Sequence, residues 1–232
     1  MRKFGKKYVE ASKKVEKNTL YSATDAVKLV KETNVTKFDS TIDIAIKLNV
    51  DPKKADQMLR GSLVLPNGSG KSKKILVLAK GEQAKVAKEL GADYVGDKDL
   101  IDKIKTENWF DFDIIVATPE MMPEVGKIGN ILGPRGLMPN PKTGTVTPNP
   151  AKAVEDIKKG MVEYKNDQYG NIHTIIGKAS FDNKKLEENL QYVVATIAKV
   201  KPATVKGTFI QNISISSTMG PGIKVDKNSF DI

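Results

Sequence analysis

Residues 75–117, ILVLAKGEQAKVAKELGADYVGDKDLIDKIKTENWFDFDIIVA, decide the fold of the middle of the chain. Three short apolar runs alternate there with two amphipathic stretches; the runs are 75–79, 93–95 and 113–117, and the stretches are 82–90 and 98–105. Strands that alternate with helices are typical of a parallel sheet covered on both faces. Asn149 as N-cap and Pro150 at N1 indicate one more helix toward Lys159. The pattern predicts an inserted, Rossmann-like α/β domain with three layers.

The two ends of the chain supply the pieces of a second domain. From Thr41 to Leu48, isoleucine and leucine alternate with mostly polar residues, which predicts a strand with one buried face. The remaining expected elements are a basic helix or arm up to residue 17, helices after Ser22 and at 183–199 with Asp182 as N-cap, and strands at 62–65, 161–164, 172–176 and 205–216. Neither end alone has enough elements for a core. We therefore expect a split α+β domain with an antiparallel sheet, residues 1–67 plus 160–232, around an insert of residues 68–159. A connection of two strands permits hinge motion.

Composition favours a polyanionic partner. The 232 residues carry a net charge of +10 with a pI near 9.4, which is typical of nucleic-acid binding. Residues 1–67 contribute +6 and residues 160–232 contribute +2, so the two ends hold +8 of the charge. No apolar run approaches the roughly 20 residues of a membrane span, and the amino terminus lacks a secretory apolar stretch. We expect a cytoplasmic protein with no membrane partner.

The sequence offers little to an enzyme. The absence of cysteine and the presence of one histidine remove thiolate zinc sites and most histidine-dependent catalytic sites, so no cofactor, metal or catalytic residue is expected. Residues 67–72, NGSGKS, resemble the end of a phosphate-binding loop, but Leu65 stands where the first glycine belongs and a strand follows. A flexible interdomain turn is the simpler interpretation. Asp97, Asp99 and Asp102 suggest a solvated helix face, and His173, without an obvious Ser or Asp partner, a structural or surface histidine.

The segment 119–150 holds seven of the eleven prolines, interleaved with five glycines. Both residue types discourage helix and strand, so the sequence predicts an ordered loop or a hinge. Only three of the 38 basic residues are arginine, and the two internal ones are Arg60 and Arg135. A guanidinium binds phosphate or carbonyl groups with two parallel hydrogen bonds, which lysine cannot do.

The last strand predicts a polar sheet face. Two sets of side chains should point to opposite faces: Ile210, Asn212, Ser214 and Ser216 to one, and Phe209, Gln211, Ile213 and Ile215 to the other. Hydroxyl and amide groups recognise folded RNA through phosphates and 2′-hydroxyls. With 6% aromatic residues and no run of aromatics on the strands, an RNA-stacking sheet is not expected. In the turn that follows, Gly220 or Gly222 is free to adopt positive φ.

Five blocks of sequence carry a resemblance to a known family. They are the segment 129–148, GNILGPRGLMPNPKTGTVTP, and the shorter SSTMGPG at 216–222, FD at 38–39, DQMLRG at 56–61 and GKASF at 177–181. In their order along the chain they resemble the bacterial large-subunit ribosomal proteins of the L-one family. The resemblance implies binding of large-subunit (23S-type) rRNA at the mobile stalk near the tRNA exit site, help in releasing deacylated tRNA, and translational repression through binding to its own operon mRNA. It implies no enzymatic activity.

The resemblance also implies which residues bind RNA. The main contacts are expected from Lys37, Phe38, Thr41, Thr218, Met219 and Gly220, with Lys178 beside Gly177, and with Ser214 and Ser216 on the polar sheet face. Gly133, Arg135 and Gly136 of the proline-rich loop, together with Arg60, are expected to be accessory or interdomain residues. Ser40 and Asn212 differ from what the family would place there. Two alternatives stay open: an RNA-binding translational regulator outside the ribosome, and a nucleotide-dependent enzyme built on the insert.

Overall fold

The computed structural model describes residues 4–16 and 18–230. The chain forms two compact units, the first containing the residues up to Gly70 and from Val162 onward and the second Lys71–Met161. These limits lie within three residues of the predicted domain boundaries. Of the predicted basic arm, residues 1–3 and Lys17 lie outside the described residues.

Helices and strands follow one another through both units. In chain order they are α1 (Lys6–Lys13), α2 (Ala23–Glu32), β1 (Thr41–Leu48), β2 (Arg60–Val64), β3 (Ile75–Leu78), α3 (Glu82–Glu89), β4 (Tyr94–Gly96), α4 (Lys98–Glu107), β5 (Ile114–Ala117), α5 (Met122–Lys127), α6 (Gly129–Leu132), α7 (Pro150–Lys158), β6 (Met161–Lys165), β7 (Asn171–Lys178), α8 (Asn183–Lys199), β8 (Ile210–Ser217) and β9 (Ile223–Val225). The mixture of helices with antiparallel and parallel sheets is compatible with a two-domain fold that contains both helices and strands.

The first unit is built on an antiparallel sheet with strand order β7-β1-β8-β9, next to the two-stranded sheet β2-β6. Ile42, Ile44 and Ile46 of β1 are fully buried, and the residues between them are half-buried. This alternation confirms the predicted strand 41–48. Helices α2 and α8 cover the buried face, since their apolar side chains share one core with those isoleucines. The opposite face of the sheet is thereby left to face outward.

The second unit is a three-stranded parallel sheet with order β4-β3-β5. All four residues of β3 are buried, as expected for the central strand of a sheet with helices on both faces. Its helices α3 and α4 occupy the predicted positions to within two residues. The βαβαβ prediction is confirmed.

The proline-rich segment contradicts the prediction that it contains no helix. Helix α5 begins with Pro123 in its first turn, where the missing N–H group is not needed, and α6 follows it. Val125 and Leu132 are fully buried, so apolar packing offsets the weak helix propensity of the glycines. After α6 the chain must be glycine at position 133, because a Cβ atom on Gly133 would lie 2.9 Å from the carbonyl oxygen of Gly129.

The turn at residues 67–72 is held in place by α8. The fully buried Asn189 accepts a hydrogen bond from the Asn67 N–H group (3.1 Å) and donates to the carbonyl oxygens of Gly68 (3.1 Å) and Ile176 (2.8 Å). These bonds fix Asn67 and Gly68 in the first unit, whereas Lys71 already belongs to the second unit. The next element is strand β3, as predicted, and a phosphate-binding loop would require a helix there.

Candidate nucleic-acid interface

Three strand ends meet at one end of the antiparallel sheet. Thr41, the first residue of β1, is the register partner of Lys178, the last residue of β7. On the other side of β1, the N–H group of Thr218 donates a hydrogen bond of 2.9 Å to the carbonyl oxygen of Thr41. We call this region the strand-end surface; its residues are Lys37, Phe38, Thr41, Lys178, Thr218, Met219 and Gly220. Sheet pairing therefore brings together residues that lie far apart in sequence.

The strand-end surface leaves two large apolar side chains in water. Phe38 is 62% exposed and Met219 is 74% exposed, and the neighbouring Lys37 is also exposed. Exposed apolar groups that adjoin a cation mark a surface that contacts a partner more often than a purely solvated one. Phe38 and Met219 supply apolar contact, and Lys37 supplies a positive charge.

The hydroxyl group of Thr218 is already bonded within the protein. It donates to the carbonyl oxygen of Thr41 (3.1 Å) and accepts from the N–H group of Thr41 (3.2 Å). A threonine hydroxyl has one proton and two lone pairs, so one lone pair remains free. Toward a ligand, Thr218 can therefore accept a hydrogen bond but cannot donate one. A 2′-hydroxyl group has a proton to give, whereas a phosphodiester oxygen does not.

The turn after β8 is strained at Met219. Its φ of 67° lies in the left-handed region, which costs a non-glycine residue on the order of 1–3 kcal/mol. Neither Gly220 nor Gly222 has a positive φ, so the expectation that one of them takes this conformation is wrong, and Met219 takes it instead. Gly220 is required for another reason: a Cβ atom there would lie 2.2 Å from the Oγ of Ser217. The backbone thus holds Met219 outward in a fixed position.

Asp39 organises the other side of the strand-end surface. Its carbonyl oxygen accepts from the Nζ of Lys178 (3.2 Å), and its carboxylate accepts from the N–H group and the hydroxyl of Ser180 (3.0 and 2.9 Å). The ammonium group of Lys178 has three donors, so it can contact an anion while it keeps the bond to Asp39. Our sequence analysis did not assign a role to Asp39 or Ser180; both lie in the blocks quoted for the family resemblance.

Gly177 and Ser40 shape the backbone beneath these contacts. A Cβ atom on Gly177, whose φ is 154°, would lie 2.8 Å from the Cδ2 of Leu186. Ser40 is fully buried, and its carbonyl oxygen accepts from the N–H group of Ala179 (2.9 Å). Its hydroxyl has no hydrogen-bond partner among the described residues. Ser40 therefore acts through its backbone, and a ligand cannot reach its side chain.

The polar face of the sheet differs from the prediction at its beginning. Asn212, Ser214 and Ser216 face outward as expected, and they alternate along the strand with the buried Ile213 and Ile215. Strand β8 begins only at Ile210, and the register shifts between Asn212, which pairs with Lys47, and Ile210, which pairs with Leu48. This bulge at Gln211 exposes Gln211 and buries Ile210, which reverses the faces predicted for both.

His173 lies on the same outward face and has an acidic neighbour. Its Nε2 atom is 3.7 Å from the Oδ2 of Asp167, so the prediction that it lacks an Asp partner is wrong. The backbone N–H group of Asn171 is the main cause that lowers the pKa of Asp167 to about 2. The Asp167 carboxylate also accepts from the N–H group of Tyr169 (2.8 Å). The carboxylate therefore holds the hairpin between β6 and β7, and His173 is an exposed surface histidine.

Neither of the two arginines predicted as accessory makes a two-armed guanidinium contact with the described residues. Arg60 approaches Glu163 through a single pair of atoms at 3.8 Å. The guanidinium of Arg135 lies 3.5 Å from the ring centroid of Phe110, in the second unit. Gly136, in the same loop, has a φ of 72°. Arg135 is therefore a stacking residue that packs the proline-rich loop onto the aromatic side chains of its own unit.

The described residues contain no group of three or more acidic or histidine side chains that could hold a metal ion. Within residues 4–16 and 18–230, no helix is long and apolar enough to span a membrane. The sequence model of the family described as "Ribosomal protein L1p/L10e family" matches residues 30–221. That range covers most of the chain and includes every residue of the strand-end surface. It does not include α1.

Proposed function

Because the chain belongs to the ribosomal protein L1p/L10e family, a non-enzymatic family of large-subunit ribosomal proteins that bind rRNA, we propose that it binds 23S-type rRNA at the mobile stalk near the tRNA exit site. The strand-end surface makes the main contact. The observation that carries this proposal is the convergence of β1, β7 and β8, which places Thr41, Lys178 and Thr218 on adjacent strand positions.

The chemistry of this surface suits structured RNA. Lys37 and Lys178 contact phosphates, because each ammonium group has donors to spare. Thr218 accepts a hydrogen bond from a 2′-hydroxyl, which DNA lacks. Phe38 and Met219 cover apolar parts of ribose or base. Ser214 and Ser216 extend the contact along the polar face of the sheet, where both are half-buried.

The two ends of the chain form one RNA-binding domain in this proposal. Residues 1–67 and 160–232 fold together and carry +8 of the net charge, and residues 68–159 fold as a separate insert. Gly133, Arg135 and Gly136 fix the shape of the loop in the insert, and Arg60 lies in β2 of the split domain. They serve as accessory residues that set domain geometry or a minor contact.

Two further roles follow from the same surface. On the ribosome, in the cytoplasm, the protein assists release of deacylated tRNA from the exit site. Off the ribosome, it represses translation by binding its own operon mRNA, whose target must imitate the shape of the rRNA site because one surface serves both. In rapid growth the rRNA competes and releases the mRNA.

Binding of a transcript of the large-subunit rRNA stalk tests the proposal. The protein should bind this transcript, should sediment with large subunits at moderate salt, and should release labelled leader mRNA when the rRNA transcript is added. Sedimentation that stays free of ribosomes while mRNA binding is retained would favour the regulator outside the ribosome. Failure of rRNA to displace mRNA would contradict a shared surface.

A further inference from the structure

Helix α1 and the residues before it present a pair of stacked aromatic rings, of which Phe4 is exposed and Tyr8 is half-buried. Phe4 precedes the helix and Tyr8 lies one turn later, and their rings stack with centroids 5.0 Å apart and an angle of 28° between the planes. Phe4 is 65% exposed, and the neighbouring Val9 is 41% exposed. The two rings and Val9 line an open cavity of about 430 Å³ together with Ser12 and Lys13.

The other side of α1 anchors it to the first unit. Ala11 and, after the helix, Val15 are buried, and Val15 belongs to the core under the sheet. The N–H group of Glu16 donates to the hydroxyl oxygen of Tyr21 (3.1 Å). The core therefore covers one face of the helix, and within the described residues the cavity at the aromatic face is lined only by Phe4 and residues of α1.

Residues 6–14 carry a net charge of +3, from four lysines and the exposed Glu10. Lys6, Lys7, Lys13 and Lys14 form no ion pair within the described part of the chain, whereas Lys127 and Lys159 each contact a glutamate. Free lysines next to an exposed stacked ring are the combination that binds single-stranded nucleic acid, since phosphates meet the cations and a base stacks on the ring. A protein interface core is depleted in lysine.

We propose that α1 and Phe4 form a second RNA contact that takes unpaired nucleotides flanking the site on the strand-end surface. This inference rests on the proposed function and extends it to a segment outside the residues that the family model matches. Tyr21 bridges to Val225 of β9, and Val225 pairs with Ile213. Ile213 lies five residues from Thr218 along β8, roughly 17 Å at about 3.3 Å per residue. About five stacked nucleotides, at about 3.4 Å each, span this length of β8, and the nucleotides that reach Phe4 and Tyr8 lie beyond it.

Two stalk transcripts of the same core test the inference, one with flanking unpaired nucleotides and one trimmed of them. Phe4→Ala/Tyr8→Ala should weaken binding of the flanked transcript about tenfold, the usual effect of losing a stacked base, and should leave the trimmed one unchanged. Phe4→Trp should retain binding. Lys6→Gln/Lys7→Gln should lower the slope of log affinity against log salt by about 1.4, at about 0.7 per single-strand phosphate.

The matched control is Lys85→Gln/Lys88→Gln on α3. This helix of the insert has eight residues, as α1 does, and both lysines are exposed. It should not change the slope. Equal affinities of wild type and Phe4→Ala/Tyr8→Ala for the flanked transcript would overturn the inference. An equal loss of affinity for both transcripts would overturn it as well. So would a result in which the substitutions on α1 weaken binding to anionic vesicles but not to RNA.

Failure of the proposed function is distinguishable from failure of this inference. If wild type binds neither stalk transcript, the proposed function fails, and a uridine oligonucleotide of about 12 nucleotides then tests α1 alone. Loss of oligonucleotide binding in Phe4→Ala/Tyr8→Ala supports the helix contact, and retained binding overturns it. If Thr218→Val weakens both transcripts while the α1 variants weaken neither, only the inference on α1 fails.

Discussion

Replacement of Thr218 by valine should weaken RNA binding without removing a charge. Valine keeps the shape of threonine but has no hydroxyl. In the structure that hydroxyl makes two bonds, one donated to the Thr41 carbonyl oxygen and one accepted from the Thr41 N–H group, and it has one further lone pair that can accept. The variant therefore loses two bonds inside the protein and, in the proposed interface, one toward RNA.

The size of the effect follows from these bonds. The carbonyl oxygen of Thr41 keeps the N–H group of Thr218, but the N–H group of Thr41 loses the acceptor that Thr218 provides. We expect a loss of about 1–3 kcal/mol in the free energy of unfolding, the usual cost of an unsatisfied part-buried group. RNA affinity should fall by a further amount of roughly 1–3 kcal/mol if the lone pair accepts from a 2′-hydroxyl shielded from water. Thr218→Ser keeps the hydroxyl and should stay near wild type.

A double-mutant cycle between protein and RNA separates the two losses. Wild type and Thr218→Val are titrated with rRNA stalk transcripts that carry single 2′-deoxy substitutions. At the contacted nucleotide, the deoxy substitution should weaken wild type but not Thr218→Val, and the salt dependence should not change. If no nucleotide shows such coupling, or if Thr218→Val binds as wild type does, Thr218 is not an RNA contact.

Three further predictions concern the stability of the first unit, its titration, and the salt dependence of RNA binding. Gly220→Ala should lower the free energy of unfolding by about 1–3 kcal/mol, because the new Cβ atom crowds the Oγ of Ser217. In urea melts, the double variant Gly220→Ala/Ser217→Ala should regain this stability. A double variant as unstable as Gly220→Ala would refute a clash between these two atoms. The pKa of Asp167 falls on folding from 3.8 to about 2, so its stabilising effect is complete above about pH 4 and is lost as pH falls toward 2. In Asp167→Asn, the free energy of unfolding should therefore depend less on pH between about 4 and 2. An unchanged pH dependence would contradict this. Lys37→Gln should lower the salt slope of rRNA binding by about 0.7–0.9, while Lys71→Ala changes neither affinity nor slope; ATP turnover abolished by Lys71→Ala would instead revive the nucleotide-dependent enzyme.

Regular patterns in the sequence predicted the elements well. Strand β1 could be placed at Thr41–Leu48 because one buried face imposes a period of two. Helix α2 could be placed because Ser22 caps it, accepting a hydrogen bond from the N–H group of Asp25. Both signals depend only on neighbouring residues, and so does the βαβαβ order of the second unit.

Features that depend on contacts between residues far apart in sequence could not be predicted. The bulge at Gln211 arises from the register between β8 and β1, and it reverses which of Ile210 and Gln211 is buried. Helix α5 exists because Val125 packs into a core, although its proline and glycine discourage a helix. Tertiary packing decided both cases.

The candidate site shows the same division. Sequence similarity indicated Thr218 and Gly220, but it did not show that the Thr218 hydroxyl is bonded to Thr41 or that Met219 takes the left-handed conformation. The role of Asp39 in holding Ser180 also required the fold, because the two residues are 141 positions apart. The sequence predicted which residues form the RNA-binding surface. The free lone pair of Thr218, seen only in the structure, predicts that a 2′-hydroxyl group binds there.

The most direct test of the central claim compares two parts of the chain for affinity to the rRNA stalk transcript. A protein that joins residues 1–67 to 160–232 by a short linker should fold and keep most of the affinity, since it carries the strand-end surface and +8 of the net charge. The fragment 68–159, whose folding Trp109, the only tryptophan, reports by fluorescence, should bind poorly. A folded fragment 68–159 that binds as tightly as the whole chain would contradict the account.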